Sequence, residues 1–350
     1  MIELIELNMT QEIISKHTEF IFGEENAKKK GRINKKLEAA YHDEIDLLGK
    51  DVFKFVMDHF KEIVLSDLET LFKIKEKYTD IFNRISTEST EERVHNQLKK
   101  IFHAEYKYFY SDPIFNAYQL QSLLDINICP WCGTQFIFLY ESQSGSTRGT
   151  LDHFIDKGNY PIFSVSIYNL IPACKVCNSD FKKSVEVNLK NYYTPYEKGI
   201  VDYIKFSKML VSDRSEKIVP DIIKELKIEE DKEVDYVSVL LGLDDDFNIV
   251  VDSSSAPPNI SKKIDGNIKL FKIEELYNIY HREFVREQIR KAYAYNYIYR
   301  KQLMHNYSNL FVTEEEVRAL IVPNVETDSK YILNKLIRDI ILVETEGFSI

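Results

Sequence analysis

No apolar run in this chain comes near the roughly 18 residues needed to cross a bilayer, so no membrane association is expected. The opening residues, MIELIELNMTQE, are acidic and lack the basic stretch of a secretory leader. A cytoplasmic setting is therefore expected. Cysteine is scarce, with four in 350 residues, which argues against a disulfide scaffold. Positive charge also falls short, since 46 Lys and Arg against 56 Asp and Glu leave a formal net charge of -10. A protein that coats nucleic acid is usually basic, because neutralising phosphates drives that binding. The balance argues against a broad nucleic-acid surface and leaves a local one open. No internal repeat is visible.

What is present is ordinary for a globular chain: 44% hydrophobic and 29% charged residues, over a length that allows two or three compact units. Three stretches differ in character. Residues 1–110 read as a helical N-terminal region. HDEIDLLGKDVFKFVMDHFKEIVLSDLETLFKIKEKY repeats apolar residues at threes and fours, without Pro and with one Gly. Residues 111–200 bring Gly, Pro, Cys and short β-prone runs such as TLDHFI and FSVSIY. Residues 201–350 are mixed and then helical. VDYIKFS and FNIVVDS read as strands, VPDIIKELKIEE as a short helix, and the acidic patches Glu229 to Asp231 and Asp244 to Asp246 as loops. The fold class expected is α+β, mostly helical, with helical regions flanking a central core.

All four cysteines fall in that central stretch, as two pairs of equal spacing: Cys129-x-x-Cys132 and Cys174-x-x-Cys177, with 41 residues between them. Four thiolates are the number that a tetrahedral zinc needs, and each pair forms a knuckle that aims two sulfurs at one ion. Gly133 helps the first knuckle turn. A redox pair or unpaired thiols are the competing readings. A thioredoxin-like CxxC needs a βαβ context, which is missing, and has no use for a second copy. A structural zinc on Cys129, Cys132, Cys174 and Cys177 is the expectation.

Between and after the pairs stand Asp152 and His153 in LDHFI, Asn169 in YNL, and Asn178 directly after Cys177. In this order they resemble the HNH endonucleases of the ββα-metal superfamily, in the zinc-bound form CxxC…DH…N…CxxCN. The resemblance covers about residues 125–200 closely and leaves both helical regions unexplained. It implies a central ββα-metal core and a cytoplasmic nuclease that hydrolyses phosphodiesters, of DNA rather than RNA. His153 would be the general base, since a neutral imidazole takes a proton from water near neutral pH. Activity should then fall below about pH 6, if the imidazole has a near-reference pKa. Asp152 and Asn178 would hold a catalytic Mg²⁺ or Mn²⁺, a sparse oxygen set that suits an ion keeping its waters. On a strand, neighbouring side chains face opposite ways, so Asp152 and His153 need a twist or bulge to share a site. Asn169 would pin the loop that carries His153.

Blander readings stand beside each role. Most histidines are structural, Asp152 suits a turn cap, Asn169 a plain loop, and Asn178 a helix N-cap. Lys175, Lys182 and Lys183 are candidates for flanking phosphates, with a solvated helix face as the alternative. Residues 129–200 hold seven Lys and Arg against six Asp and Glu, less acidic than the chain as a whole. The basic run AKKKGRINKK, with Lys28, Lys29, Lys30, Arg32, Lys35 and Lys36, is a weaker candidate for the same task. Tyr293, Tyr295, Tyr297 and Tyr299 alternate in a helical context and are expected to pack in a core or interface. An acidic nuclease is poorly equipped to find DNA alone, which points to a delivery partner such as an ATPase subunit and, by the resemblance, to antiphage defence or restriction. A double-strand break would require a homodimer or two events. The alternative from another class is a non-enzymatic zinc-stabilised scaffold or nucleic-acid binder with an inactive site.

Overall fold

The computed structural model describes residues 7–23, 32–221, 233–325 and 328–346. Over the described part of the N-terminal stretch the chain is helical: α1 (Gln11–Phe22), α2 (Arg32–Asp43), α3 (Leu47–Asp58), α4 (Phe60–Leu65), α5 (Leu68–Phe82) and α6 (Glu88–Phe109), followed by α7 (Ala117–Leu123). Short polar side chains set several of the starts. Asp46 caps α3 through the Leu48 and Gly49 amides, Asp67 caps α5 through Thr70, and Asn116 with Gln119 forms a capping box on α7. The 22-residue α6 buries one face that includes Val94, Leu98, Phe102, Tyr106 and Phe109. The apolar repeat read in residues 42–78 becomes the buried faces of α3, α4 and α5, with Val52, Phe53, Ile63, Leu71 and Ile74.

The central stretch contains β1 (Tyr140–Ser142) paired with β2 (Gly145–Thr147), then β3 (Thr150–His153) paired antiparallel with β4 (Leu170–Ala173). A π-helical segment, Val176–Lys182, follows β4 directly. The β-prone run FSVSIY does not form the second strand. It lies in a buried connection with 3₁₀ turns at Pro161–Phe163 and Ile167–Asn169, and β4 takes up the pairing two residues later. Burial rewards apolar β-branched residues whether or not they pair, so the run misleads as a strand signal. Further on, β5 (Lys205–Leu210) pairs with β6 (Phe247–Asp252). The helix expected in VPDIIKELKIEE lies almost wholly outside the described residues, as do Lys28, Lys29 and Lys30.

Helices resume with α8 (Tyr236–Leu240), α9 (Pro258–Leu270), α10 (Ile273–Tyr280), α11 (Arg282–Ala294), α12 (Tyr297–Asn306), α13 (Glu314–Arg318) and α14 (Asn334–Glu346). Gly266 lets α9 touch the chain below it, since a Cβ there would meet Asn191 O at 1.9 Å. The tyrosine run breaks at Asn296, which caps α12, so Tyr293 and Tyr297 belong to different helices. Tyr293 and Tyr299 are exposed and none of the four is fully buried, so of the expected core or interface packing the core half does not hold. The fold is thus α+β and mostly helical, with small antiparallel sheets. One apolar cluster joins Leu7, Phe163 and Ile340, so the three stretches share a core. Among the described residues, no helix is long and apolar enough to cross a membrane.

The flanking helices grip the central connection. His17 on α1 donates Nε2–H to Val165 O at 2.8 Å, and Ser166 Oγ donates to Ile63 O on α4. His17 is packed among Phe20, Phe109 and Phe115, and its Nδ1 has no hydrogen-bond partner. Burial pushes its pKa down from 6.5 to about 4. The unfolded chain therefore binds the extra proton first, and stability falls as pH drops from 6.5 toward 4. Urea denaturation at pH 7, 5.5 and 4 should show wild type losing more stability than His17→Phe, by about 3 kcal/mol at the acid end. Parallel losses in the two proteins would refute this account of His17.

Candidate metal centre and active site

The first knuckle is a tight turn. Cys129 N–H donates to Gln135 O, Gly133 N–H donates to Cys129 O, and Gly133 takes φ 62°, where a side chain would be strained. The second knuckle joins β4 to the π-helical segment, and Cys177 N–H points at Cys174 Sγ, 3.4 Å away. All four sulfurs are buried and lie within 4.8 Å of one another, with Cys132 and Cys174 at 4.0 Å. Their thiols are free. An ion with metal–sulfur bonds of about 2.3 Å spaces its tetrahedral ligands about 3.8 Å apart, so the group can hold a metal such as zinc. Burial pushes Cys129 well up, while hydrogen bonds from the other three thiols pull Cys132 well down. Metal binding must therefore displace protons from the cluster.

Trp131, between the two cysteines of the first knuckle, carries the cluster's position onward. Its Nε1–H donates to Asp152 Oδ2 at 3.0 Å, and its ring stacks on Phe271 at 4.9 Å. Asp152 is 1% exposed, and its other oxygen lies 2.9 Å from Lys182 Nζ. Lys182 also donates to His153 O at 2.6 Å. Two expectations change here. Lys182 is 1% exposed and ion-paired, so it is not a phosphate contact on the surface. Asp152 has both oxygens engaged, and this arrangement does not fit a divalent ion shared with Asn178. The physical reason is that Lys182 and Trp131 take up the carboxylate. The β3–β4 register runs without a bulge from Thr150↔Ala173 to His153↔Leu170, so Asp152 and His153 face opposite sides of the hairpin.

His153 meets a different set. Its Nε2 lies 3.0 Å from Ser164 O. A carbonyl only accepts, so Nε2 carries the hydrogen and Nδ1 keeps its lone pair. Lys157 Nζ stands 3.3 Å from Nδ1, and the Tyr106 ring from α6 packs edge-on at 4.6 Å. Burial, and after it the Lys157 ammonium, hold the pKa of His153 well below the usual histidine range. A neutral imidazole thus persists at lower pH than a near-reference value implies, and the acid limb expected near pH 6 moves down. Asn169 is fully buried and ties the loop after His153 at three points. Its Oδ1 accepts from Ile155 N–H, and its amide donates to Ile155 O and Phe163 O. Ser164 follows Phe163, so the same loop carries the carbonyl that orients His153.

Asn178 is half-buried on the π-helical segment and donates Nδ2–H to Thr150 Oγ1 at 3.0 Å. It lines an open cavity of about 470 Å³ with Tyr106, Thr150, Arg148 and Lys157. Lys175 and Lys183 are exposed on either side of the segment. The geometry therefore brings His153, Asn169 and Asn178 to one hairpin and the chain around it, and sets Asp152 against Trp131 and Lys182. Sequence reasoning missed Trp131, Lys157, Arg148 and Tyr106 as partners. Lys157 stands four residues beyond His153, which was a usable signal. Tyr106 comes from a distant helix and left none.

Two outcomes are expected. Elemental analysis of protein purified without chelator should find one thiolate-bound metal ion per chain, and Cys174→Ser should lose it together with thermal stability. A metal-free, equally stable protein would exclude the centre. Lys182→Met should cost about 3–5 kcal/mol in urea denaturation, because it leaves Asp152 buried and unpaired. The double variant Asp152→Leu with Lys182→Met should recover most of that loss. No recovery would mean that Lys182 stabilises the fold by something other than this pair.

The chain matches no family model, no curated protein and no solved structure, so the functional reading rests on its own residues.

Proposed function

We propose that the chain is a zinc-stapled endonuclease of HNH type that hydrolyses nucleic-acid phosphodiesters, DNA in preference to RNA. One observation carries the reading: His153 is neutral and oriented through Ser164 O, and its Nδ1 lone pair meets Lys157, which lines a cavity together with Asn178. The order β3, β4, helical segment, with a four-cysteine cluster at its base, supports the same conclusion. Zinc in that cluster supplies folding energy and no reactivity.

The chemistry follows from the residues. Hydrolysis needs a water deprotonated as it attacks phosphorus, and Nδ1 of His153 is the acceptor. Asn169 holds the loop that fixes the imidazole, so its removal should act through His153. A catalytic Mg²⁺ or Mn²⁺ would add charge neutralisation at the phosphate when bound. Asp152, paired with Lys182, does not offer it an oxygen. Four free cysteines suit a reducing cytoplasm. The net charge of -10 favours delivery by a partner protein, an ATPase subunit being one such class, in a defence or restriction role.

A second reading has one observation in its favour. Because Asp152 is sealed by Lys182 and Trp131, the chain would then be a zinc-stabilised binding module without activity. Supercoiled plasmid incubated with Mg²⁺ or Mn²⁺, with and without EDTA, separates the two. Wild type should nick or linearise it, and His153→Ala should lose roughly 10²–10⁴-fold while keeping its metal content and melting temperature. Cleavage by His153→Ala at the wild-type rate would reject this mechanism, and no cleavage by wild type under any condition would favour the second reading.

A further inference from the structure

The cavity that Lys157 separates from His153 is locally cationic in an acidic chain. In a chain with 56 acidic residues, no Asp or Glu among the described residues lines it. Two cations do, Arg148 and Lys157, and both are only partly exposed. The contacts made by their charged groups are rings, a carbonyl and an imidazole, not carboxylates. The Arg148 guanidinium carbon lies 4.4 Å from the centre of the Tyr110 ring, and Nη1 donates to Gly149 O at 2.5 Å. Lys157 Nζ lies 4.7 Å from the centre of the Tyr106 ring and 3.3 Å from His153 Nδ1. Asp152 and Asp156 act on Lys157 through space, and neither pairs with it.

The two tyrosines form a platform. Tyr110 O–H donates to Tyr106 O at 2.6 Å, which locks the rings that the cations rest on. Cation–π contact holds a cation in position without neutralising it, so its hydrogen-bond donors remain available to an anion. The guanidinium offers a planar fork suited to phosphate oxygens, and the ammonium a compact point charge. Thr150 and Asn178 add polar groups on the same wall.

The geometry points to this cavity as the cradle for a DNA phosphodiester, with Arg148 and Lys157 as the residues that hold its non-bridging oxygens. The inference deepens the nuclease reading and rests on it for the identity of the anion. It also gives Lys157 a second task as a positioning residue. Without substrate its ammonium covers the lone pair of His153. A phosphate oxygen is the stronger acceptor and draws the ammonium away, leaving Nδ1 open to water. The base is then uncovered only where a phosphate is present.

The test is binding in EDTA, where affinity is read without cleavage. A labelled 20-base-pair DNA duplex of mixed sequence is titrated by fluorescence anisotropy at several salt concentrations. Arg148→Ala and Lys157→Ala should each weaken binding about tenfold and reduce the slope of log affinity against log salt by about one. Arg148→Lys should recover part of the loss, and Lys190→Ala, on an exposed position outside the cavity, should bind as wild type. Arg148→Gln and Lys157→Gln keep the stems in place and serve if an alanine variant fails to fold. Folded cavity variants that bind as tightly as wild type, with an unchanged salt slope, overturn the proposal even if His153→Ala proves inactive. Loss of affinity in a protein that never cleaves DNA would retire the nuclease reading and leave the phosphate cradle standing.

Discussion

Four sulfurs from two turns must meet within 4.8 Å, and much of the central architecture follows from that requirement. The turns are 41 residues apart in sequence, so the intervening chain has to leave and return to the same point. β3 and β4 do this by pairing antiparallel, which brings Thr150 beside Ala173 and delivers Cys174 to the first knuckle. A cluster of four buried thiols is unfavourable by itself, since thiolates repel and thiols make weak hydrogen bonds. A bound metal ion turns that burden into a tie stronger than any single packing contact.

The tie reaches outward through few residues. Trp131 links the first knuckle to Asp152, and Lys182, five residues after Cys177, links the second to the same carboxylate. Lys182 also bonds the His153 carbonyl. Both knuckles thus converge on β3, where the candidate base sits. A buried ion pair adds little stability over an apolar pair of similar volume, but breaking it on one side costs much more. Its consequence here is position: the strand carrying His153 has one register and one height above the metal centre.

The helical regions complete the site from outside. α6 contributes Tyr106 against the His153 ring, and Tyr110, the C-cap of that helix, lies behind Arg148. α10 braces the opposite side, where Tyr277 O–H donates to Cys132 O at 2.8 Å. Asn169 and Ser164 fix the loop between, and His17 and Ser166 fasten that loop to the N-terminal helices. The metal centre and the hairpin above it are therefore held by all three stretches of chain.

The helical repeat of the N-terminal stretch, the capping residues and the paired CxxC spacing are local properties, and the sequence by itself determined them. Side-chain period and ligand count do not depend on distant contacts. It also placed Asp152, His153, Asn169 and Asn178 in order along the chain. Only the tertiary structure decided how they are used. Whether Asp152 faces an ion or Lys182 depends on a π-helical turn and on an indole 21 residues upstream in the chain. Whether FSVSIY pairs or is merely buried depends on which strand closes the second knuckle. The Arg148 and Lys157 cavity exists because the C-terminal end of α6 and its cap lay two tyrosines across the end of a hairpin, a meeting of segments that neither encodes alone.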